Sequence, residues 1–387
     1  MLLLFLNFIS VLAWAVLVSF SHLSVASQWS VDAKIQQELG YNDNVRMSKT
    51  PQGSLHYTLT PVVNFSHKTT NSVIDASASY GIQRYSSIKT LNRSLQNYHF
   101  DAKYLTDLTV WEVAASMSIA PSLNTASMYS GNFSSNAERT TQSVSPSLSY
   151  KLNELDSLKL HANYSQTSYS GNDFNNNQSY SVNLDWQRAW SERFSNHISI
   201  SYAAFSSNIQ QSSTYNLNLG LNFMLSEQWS VKSTVGGRLT NSESVASKNQ
   251  SEGFLVNATL DYSGEKLSSQ LGVNRSLLPS SQGQLQEQDS LNFTLNYALS
   301  QKLSTSFSAN YQRTNITSFS NQSTSREYLT LQPALNWQID SDWIVSANYQ
   351  YRTQNSSTGQ NTDVSSGFSN SVMLTINYNW QGFSLSR

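Results

Sequence analysis

Residues 215–225 read YNLNLGLNFML. Tyr215, Leu217, Leu219, Leu221, Phe223 and Leu225 share one parity, and Asn216, Asn218, Gly220 and Asn222 share the other. A period of two belongs to a β-strand, whose successive side chains point to opposite faces, so this stretch has one greasy face and one wet face. The pattern returns at Leu291, Phe293, Leu295, Tyr297 and Leu299, and at Val372, Leu374, Ile376, Tyr378 and Trp380. It recurs at Trp343, Val345, Ala347, Tyr349 and Tyr351, and at Tyr180, Val182, Leu184 and Trp186.

Working outward from these, about eighteen such segments can be traced, sixteen being the nearest alternative count. They lie near residues 29–41, 54–68, 72–88, 96–105, 109–123, 141–152, 157–169, 179–190, 195–207, 213–225, 229–241, 253–263, 267–279, 289–300, 303–315, 326–339, 343–355 and 367–381. Short connections, such as 69–71, 106–108, 226–228 and 340–342, alternate with longer Ser- and Asn-rich ones near 42–53, 89–95, 124–140, 170–178, 242–252, 280–288, 316–325 and 356–366. Alternating short turns and long loops predict an all-β, antiparallel up-and-down transmembrane barrel, with the turns on the periplasmic side. A β-sandwich or propeller has strands of about five or six residues, and a solenoid shows a fixed repeat with Gly-rich turns. Closing so many strands leaves an interior too wide for side chains to fill, so the greasy face has to point outward into lipid. None of the connections is long enough to suggest a folded plug.

The aromatic residues fit that orientation. Tyr41, Tyr80, Tyr164, Tyr202, Tyr311 and Tyr349 sit toward the long-loop ends of ascending segments, in the outward register. Phe65, Tyr150, Trp186, Tyr262, Tyr297, Trp337 and Trp380 close descending segments. Two girdles at headgroup level are expected from this placement. Pro61, Pro146 and Pro333 all fall in descending segments, where each is expected to cost a ladder hydrogen bond or to mark a bulge.

Composition restricts function. The chain has 387 residues, Lys+Arg 23 against Asp+Glu 24, and 12% charged residues, half the roughly one quarter usual in soluble domains. Ser, Asn, Thr, Gln and Tyr supply the polarity instead. A balance of −1 excludes an electrostatic nucleic-acid binder. Zero Cys excludes a disulfide scaffold, thiolate metal sites and a Cys nucleophile. Residues 1–26 form an apolar run without Asp, Glu, Lys or Arg that ends Ser24-Val25-Ala26, the form of a cleaved secretory signal, with an uncleaved anchor as the competing reading. Residues 27–387 are then one barrel domain, with outer-membrane lipid and the barrel-assembly machinery as its expected partners.

The inward register is expected to hold Asp32, Lys34, Asp75, Glu112, Lys159, His161, Asp185, His197, Lys232, Arg238 and Asp261 among many neutral polar residues. These are candidate lumen-lining groups and not a catalytic set. No nucleophile stands in a recognisable relation to a base, and neither the His-x-Ser-Asn arrangement of outer-membrane phospholipases nor the Asp and Asp-His pairs of omptin-type proteases occurs. Residues 173–177 (DFNNN) begin like a calcium loop, but Gln178 stands where the turn needs Gly and Leu184 where a bidentate Glu belongs. No metal or cofactor is expected.

Residues 37–47 (QELGYNDNVRM), the Pro-x-Leu-x-Tyr stretch from Pro146 to Tyr150, and residues 369–380 (SNSVMLTINYNW) resemble outer-membrane β-barrel proteins associated with exopolysaccharide and exosortase (PEP-CTERM) gene clusters. The resemblance implies an outer-membrane location in a Gram-negative cell and a part in polymer export or surface anchoring, and it carries no catalytic residues over. One departure is that residues 381–387 (QGFSLSR) follow Trp380, whereas many outer-membrane barrels end on an aromatic residue. Two functions stay open: a porin-like channel or export component for a neutral saccharide or exopolysaccharide, because dense neutral hydrogen-bonding groups suit hydroxyl-rich solutes, and a structural barrel whose loops bind polymer or export-complex proteins.

Overall fold

The computed structural model describes residues 27–129, 133, 137–244, 247–317, 323–358 and 361–386. The predicted signal segment, 1–26, lies outside them. The strands are β1 (Ser27–Asn42), β2 (Ser54–Thr69), β3 (Ser72–Tyr85), β4 (Arg93–Leu105), β5 (Thr109–Pro121) and β6 (Glu138–Lys151). They continue as β7 (Asp156–Tyr169), β8 (Asn177–Ser191), β9 (Phe194–Ser207), β10 (Gln210–Met224), β11 (Trp229–Ser244) and β12 (Lys248–Ser263). The last six are β13 (Leu267–Pro279), β14 (Leu285–Ala298), β15 (Leu303–Thr317), β16 (Ser323–Gln338), β17 (Trp343–Thr358) and β18 (Asn361–Ser386). Each pairs antiparallel with the next and β18 pairs with β1, which closes an 18-stranded barrel. Closure leaves no free edge strand, so the wall satisfies its own backbone groups wherever its ladders run.

Parity sorts the side chains as the alternation requires. On β10, Tyr215, Leu217, Leu219, Leu221 and Phe223 are exposed, while Asn216 and Asn218 donate across the inner wall to Ser201 (2.9 Å) and Ser199 (3.1 Å) of β9. Rings of the outward register meet in cross-strand pairs: Tyr202 with Tyr215 at 5.2 Å and Tyr164 with Tyr180 at 6.2 Å toward the loop side, Trp229 with Tyr262 at 4.7 Å and Trp29 with Phe65 at 5.4 Å toward the turn side. Buried apolar side chains lie almost entirely in the outer loops (Val45, Met47, Ile88, Leu91, Leu123, Ala126, Phe133 and Phe174), with Phe205 of β9 the exception among the described residues.

The three prolines act on one side each. β2 and β3 pair at Leu59↔Ile82 and resume at Val62↔Ser79, β6 and β7 break between Val144↔Tyr164 and Ser147↔His161, and β16 and β17 between Leu331↔Tyr351 and Ala334↔Asn348. Pairing with the preceding strand runs unbroken through Pro61↔Ile35, Pro146↔Val113 and Pro333↔Phe307. Each proline therefore costs local pairing toward the next strand without a shift of register, and none marks a bulge.

Two expectations need correcting. Residues expected as loop near 242–252 and 356–366 are largely strand among the described residues, with β11 and β12 laddered to Glu243↔Lys248, and β14 already begins at Leu285 within the expected loop 280–288. Beyond the hydrocarbon both faces of a strand are wet, so the backbone ladder continues after the apolar parity has faded. The last segment, expected to end near residue 381, is longer as well, because β18 runs to Ser386.

A bulge makes that extension possible. Ala33 pairs with Trp380 and Val31 with Phe383, so Asp32 faces two residues, Gln381 and Gly382. The extra residue switches parity, and Phe383 and Leu385 emerge on the same exposed outer face as Trp380. Gly382 has φ +66°, and a Cβ there would stand 1.6 Å from the Val31 carbonyl oxygen. Gly382→Val should cost about 1–3 kcal/mol in backbone strain alone. It is expected to lower the temperature at which the compact barrel band is lost on semi-native electrophoresis, with Gly382→Asn milder because Asn tolerates positive φ.

Candidate functional site

The lumen wall is built from the polar register of the strands. β5 and β7 bring Glu112 and Lys159 together: Lys103 Nζ lies 2.8 Å from Glu112 Oε1, Lys159 Nζ 4.0 Å from Oε2, and Ser147 Oγ donates to Oε2 at 3.2 Å. These groups, with Asp75, Asp101, Ser145 and His161, line a cavity of about 440 Å³ against β3–β7. Asp101 also pairs with His99. Lys103 and Asp101 were missed in the sequence, although the inward parity of residues 96–105 marks both.

The other expected lumen residues are dispersed. Asp32 accepts from Asn64 Nδ2 at 2.6 Å, Asp261 from Gln270 Nε2 at 2.7 Å, and His197 Nε2 lies 3.2 Å from Thr234 Oγ1. Lys34, Asp75, His161, Asp185 and Lys232 have no hydrogen-bond or salt-bridge partner among the described residues. Arg238 leaves the lumen altogether, its guanidinium meeting Glu287 of β14 at 3.0 Å. The expected set is thus one acid–base cluster plus separate wall groups, and among the described residues no three His, Asp or Glu side chains gather as a metal site.

Charge is distributed unequally around the ring. The acids and lysines of the lower and middle wall stand on β1–β12. Over β13–β18 the same depth presents neutral amides, including Asn292, Asn310, Gln332, Asn336, Gln350 and Asn377. Several bond one another: Asn310 donates to Asn292, and Gln350 Nε2 donates to Gln332 Oε1 at 3.2 Å. Arg326 and Arg352 belong to this half but stand at the loop end, where they bond Gln286 and Ser369.

Segments of the outer loops reach over the mouth. From the end of β5 a 3₁₀ turn (Ser122–Thr125) runs into one helical turn (Ala126–Tyr129). The Tyr129 carbonyl accepts from Ser281 N at 3.1 Å in the β13–β14 loop, on the far side of the ring. Phe133 stacks 6.1 Å from Tyr328 of β16. Leu123, Ala126 and Phe133 form one apolar cluster with Val45 and Met47 of the first loop and Ile88 and Leu91 of the second. The described residues of the β5–β6 connection, 122–129 and 133, therefore form a strap that reaches across the lumen, which corrects the expectation of no folded plug. Its signal was Leu123, Ala126 and Phe133, apolar residues in a segment rich in Ser and Asn. The failed calcium motif has a structural part here as well: Asn175 N donates to Ser281 O at 2.8 Å and Asn175 Nδ2 to Gln282 O at 3.0 Å.

No protein-family model matches the chain, and comparison with curated proteins finds no match. The fold is shared with solved outer-membrane porins. Acinetobacter baumannii OccAB4 is 10% identical with a TM-score of 0.50, the alignment covering 94% of this chain and 100% of that one. OccAB2 of the same organism is 11% identical with a TM-score of 0.51, covering 91% and 98%. Pseudomonas aeruginosa OccK2 (OpdF), solved in complex with glucuronate, is 9% identical with a TM-score of 0.52, covering 91% and 98%. At such identities the likeness is one of fold.

The strap can be tested apart from the wall. Phe133→Ala removes a buried ring, a change that costs about 3–5 kcal/mol in a packed core. It should free the strap, raising unitary conductance and open-level noise in planar bilayers while the barrel's heat-modifiable band is unchanged.

Proposed function

We propose that the protein is an outer-membrane channel for small, neutral, hydroxyl-rich solutes, a saccharide being the class that fits best. An apolar outer face with two aromatic bands suits lipid and little else. The observation that carries the substrate class is the amide-lined half of the lumen, β13–β18, facing a half in which charges of both signs, acids and lysines, are interspersed. Amides donate and accept at once, as sugar hydroxyls do, whereas selection of an ion needs a field of one sign. The strap narrows the mouth and favours a small saccharide over a polymer strand. Assembly through the barrel-assembly machinery after signal cleavage belongs to the same reading.

A second reading has its own support in the apolar cluster that joins three loops over the mouth. A permanently capped barrel would serve as a surface platform for polymer or partner proteins. Solute flux separates the two readings.

In a liposome-swelling assay glucose should enter faster than glucuronate, which is nearly the same size, because the lumen offers no cationic track to the acid. Faster glucuronate would remove the neutral-solute reading, and no flux of either solute would favour the platform. Replacing the two lysines that have no side-chain partner (Lys34→Gln with Lys232→Gln) should shift the reversal potential in a KCl gradient toward cation preference, by removing two positive charges from the lumen wall.

A further inference from the structure

One seam of the wall stops short. β11 pairs β12 up to Glu243↔Lys248 and β13 pairs β14 up to Pro279↔Leu285, but β12 and β13 pair only from Ser263↔Ser268 to Val256↔Arg275. Beyond Val256 β12 has parted from β13, while β11 stays laddered to β10 up to Gln210↔Ser244, and the β9–β10 end touches the β13–β14 end behind the hairpin. Ser207 Oγ donates to Gly283 O at 2.6 Å, and Leu285 N donates to Gln210 Oε1 at 3.2 Å. The result is a seam without ladder pairing, a window in the backbone ladder filled by side chains, bounded below by its last pair and above by that contact. Alternation fails at its rims: Phe254-Leu255 on β12 and Leu277-Leu278 on β13 are apolar on both faces.

Arg238 passes through this window. It occupies the polar register of β11, opposite Asn216 and Gly253. Its side chain lies over Gly253, where a Cβ would stand 2.4 Å from Nη2, and it ends 3.0 Å from Glu287 Oε2 with 7% of its side chain exposed. Glu287 shares the outward register of Leu291 on β14. An inward residue and an outward one thus meet across two intervening strands. On the outer side Arg275 bonds Asp289 (Nη2–Oδ2 2.8 Å), approaches Glu287 Oε1 at 3.6 Å, and lies over the Phe254 ring at 4.3 Å.

We propose that this window is a lateral port for an anionic amphiphile, an acid head on an apolar chain, and that the Arg238–Glu287 pair is its latch. The acid head replaces the Glu287 carboxylate on Arg238, and the chain lies between Phe254-Leu255 and Leu277-Leu278 toward the lipid. No bond is made or broken; one carboxylate exchanges for another. The proposal shares with the channel reading only the bilayer-embedded barrel, and its readout is independent of conductance.

The test is binding of dansyl-labelled undecanoate to the full barrel in nanodiscs. The wild type should bind saturably, with displacement by laurate and not by dodecanol. Arg238→Gln removes the partner of the acid head and should weaken binding by about tenfold or more, whereas Glu287→Gln removes the competitor and should strengthen it. A merely structural ion pair would move both variants the same way, and that result, or unsaturable binding by the wild type, overturns the proposal. Retention of the compact heat-modifiable band checks that each variant is folded. Binding without solute flux would leave the port and remove the channel, and flux without binding would do the reverse.

Discussion

In hydrocarbon there is no water to receive a backbone N–H or C=O, and each unsatisfied group costs several kcal/mol. A strand that crosses must be paired on both sides, and pairing on both sides means closure. Closure is the condition on which the rest of this molecule depends. It is met at the β18–β1 seam, where the ladder runs from Gln28↔Ser386 to Asn42↔Ser371. Side chains reinforce its outer end: Ser369 Oγ donates to Asn42 Oδ1 at 2.8 Å, and Asn370 N donates to Asp43 Oδ1 at 2.7 Å. The bulge at Gly382 serves the same end by carrying the ladder past a parity change without turning Phe383 inward.

Once the ring is closed, parity settles most of the chemistry. Outward positions meet lipid and are aliphatic or aromatic, and inward positions meet water. A wide lumen does not need charge to stay wet, and amide and hydroxyl side chains can bond their neighbours across strands, as Asn216 does with Ser201 and Gln350 with Gln332. The low charge of the whole chain is a property of its inner wall, since Ser, Asn, Gln and Thr do there what Lys and Glu do on a soluble surface.

The crossing part of the wall was legible for that reason. Strand number, strand direction, the outward register of Tyr41 or Trp337 and the pairing lost at the three prolines all follow from a period of two and the missing proline N–H. The loop side was not legible. Above the headgroups both faces of a strand are wet, so Gln211 or Glu243 reads as loop even where the backbone is laddered. The strap escaped because its contacts, Tyr129 to Ser281 and Phe133 to Tyr328, join segments far apart in the chain. The bulge escaped because one extra residue leaves no trace in a pattern scored by alternation. At the candidate site, parity placed Glu112 and Lys159 on one wall, but only the register of β4 against β5 brings Lys103 to Glu112.

The apolar cluster at the mouth differs from the wall in what stabilises it. The wall is held by ladders and by lipid, whereas Val45, Met47, Ile88, Leu91, Leu123, Ala126 and Phe133 bury their surfaces against one another as a small soluble core does. At roughly 1.5–3 kcal/mol for each large side chain buried, less the cost of ordering the loops, such a cluster holds a strap without being permanent. It also shares no ladder hydrogen bonds with the mid-wall, so it can open while the ring stays closed. Local opening at a cost well below global unfolding is the usual origin of mobile lids. On the channel reading proposed above, this would separate two tasks: the wall would set what kind of solute is tolerated, and the loop cluster when the mouth admits it.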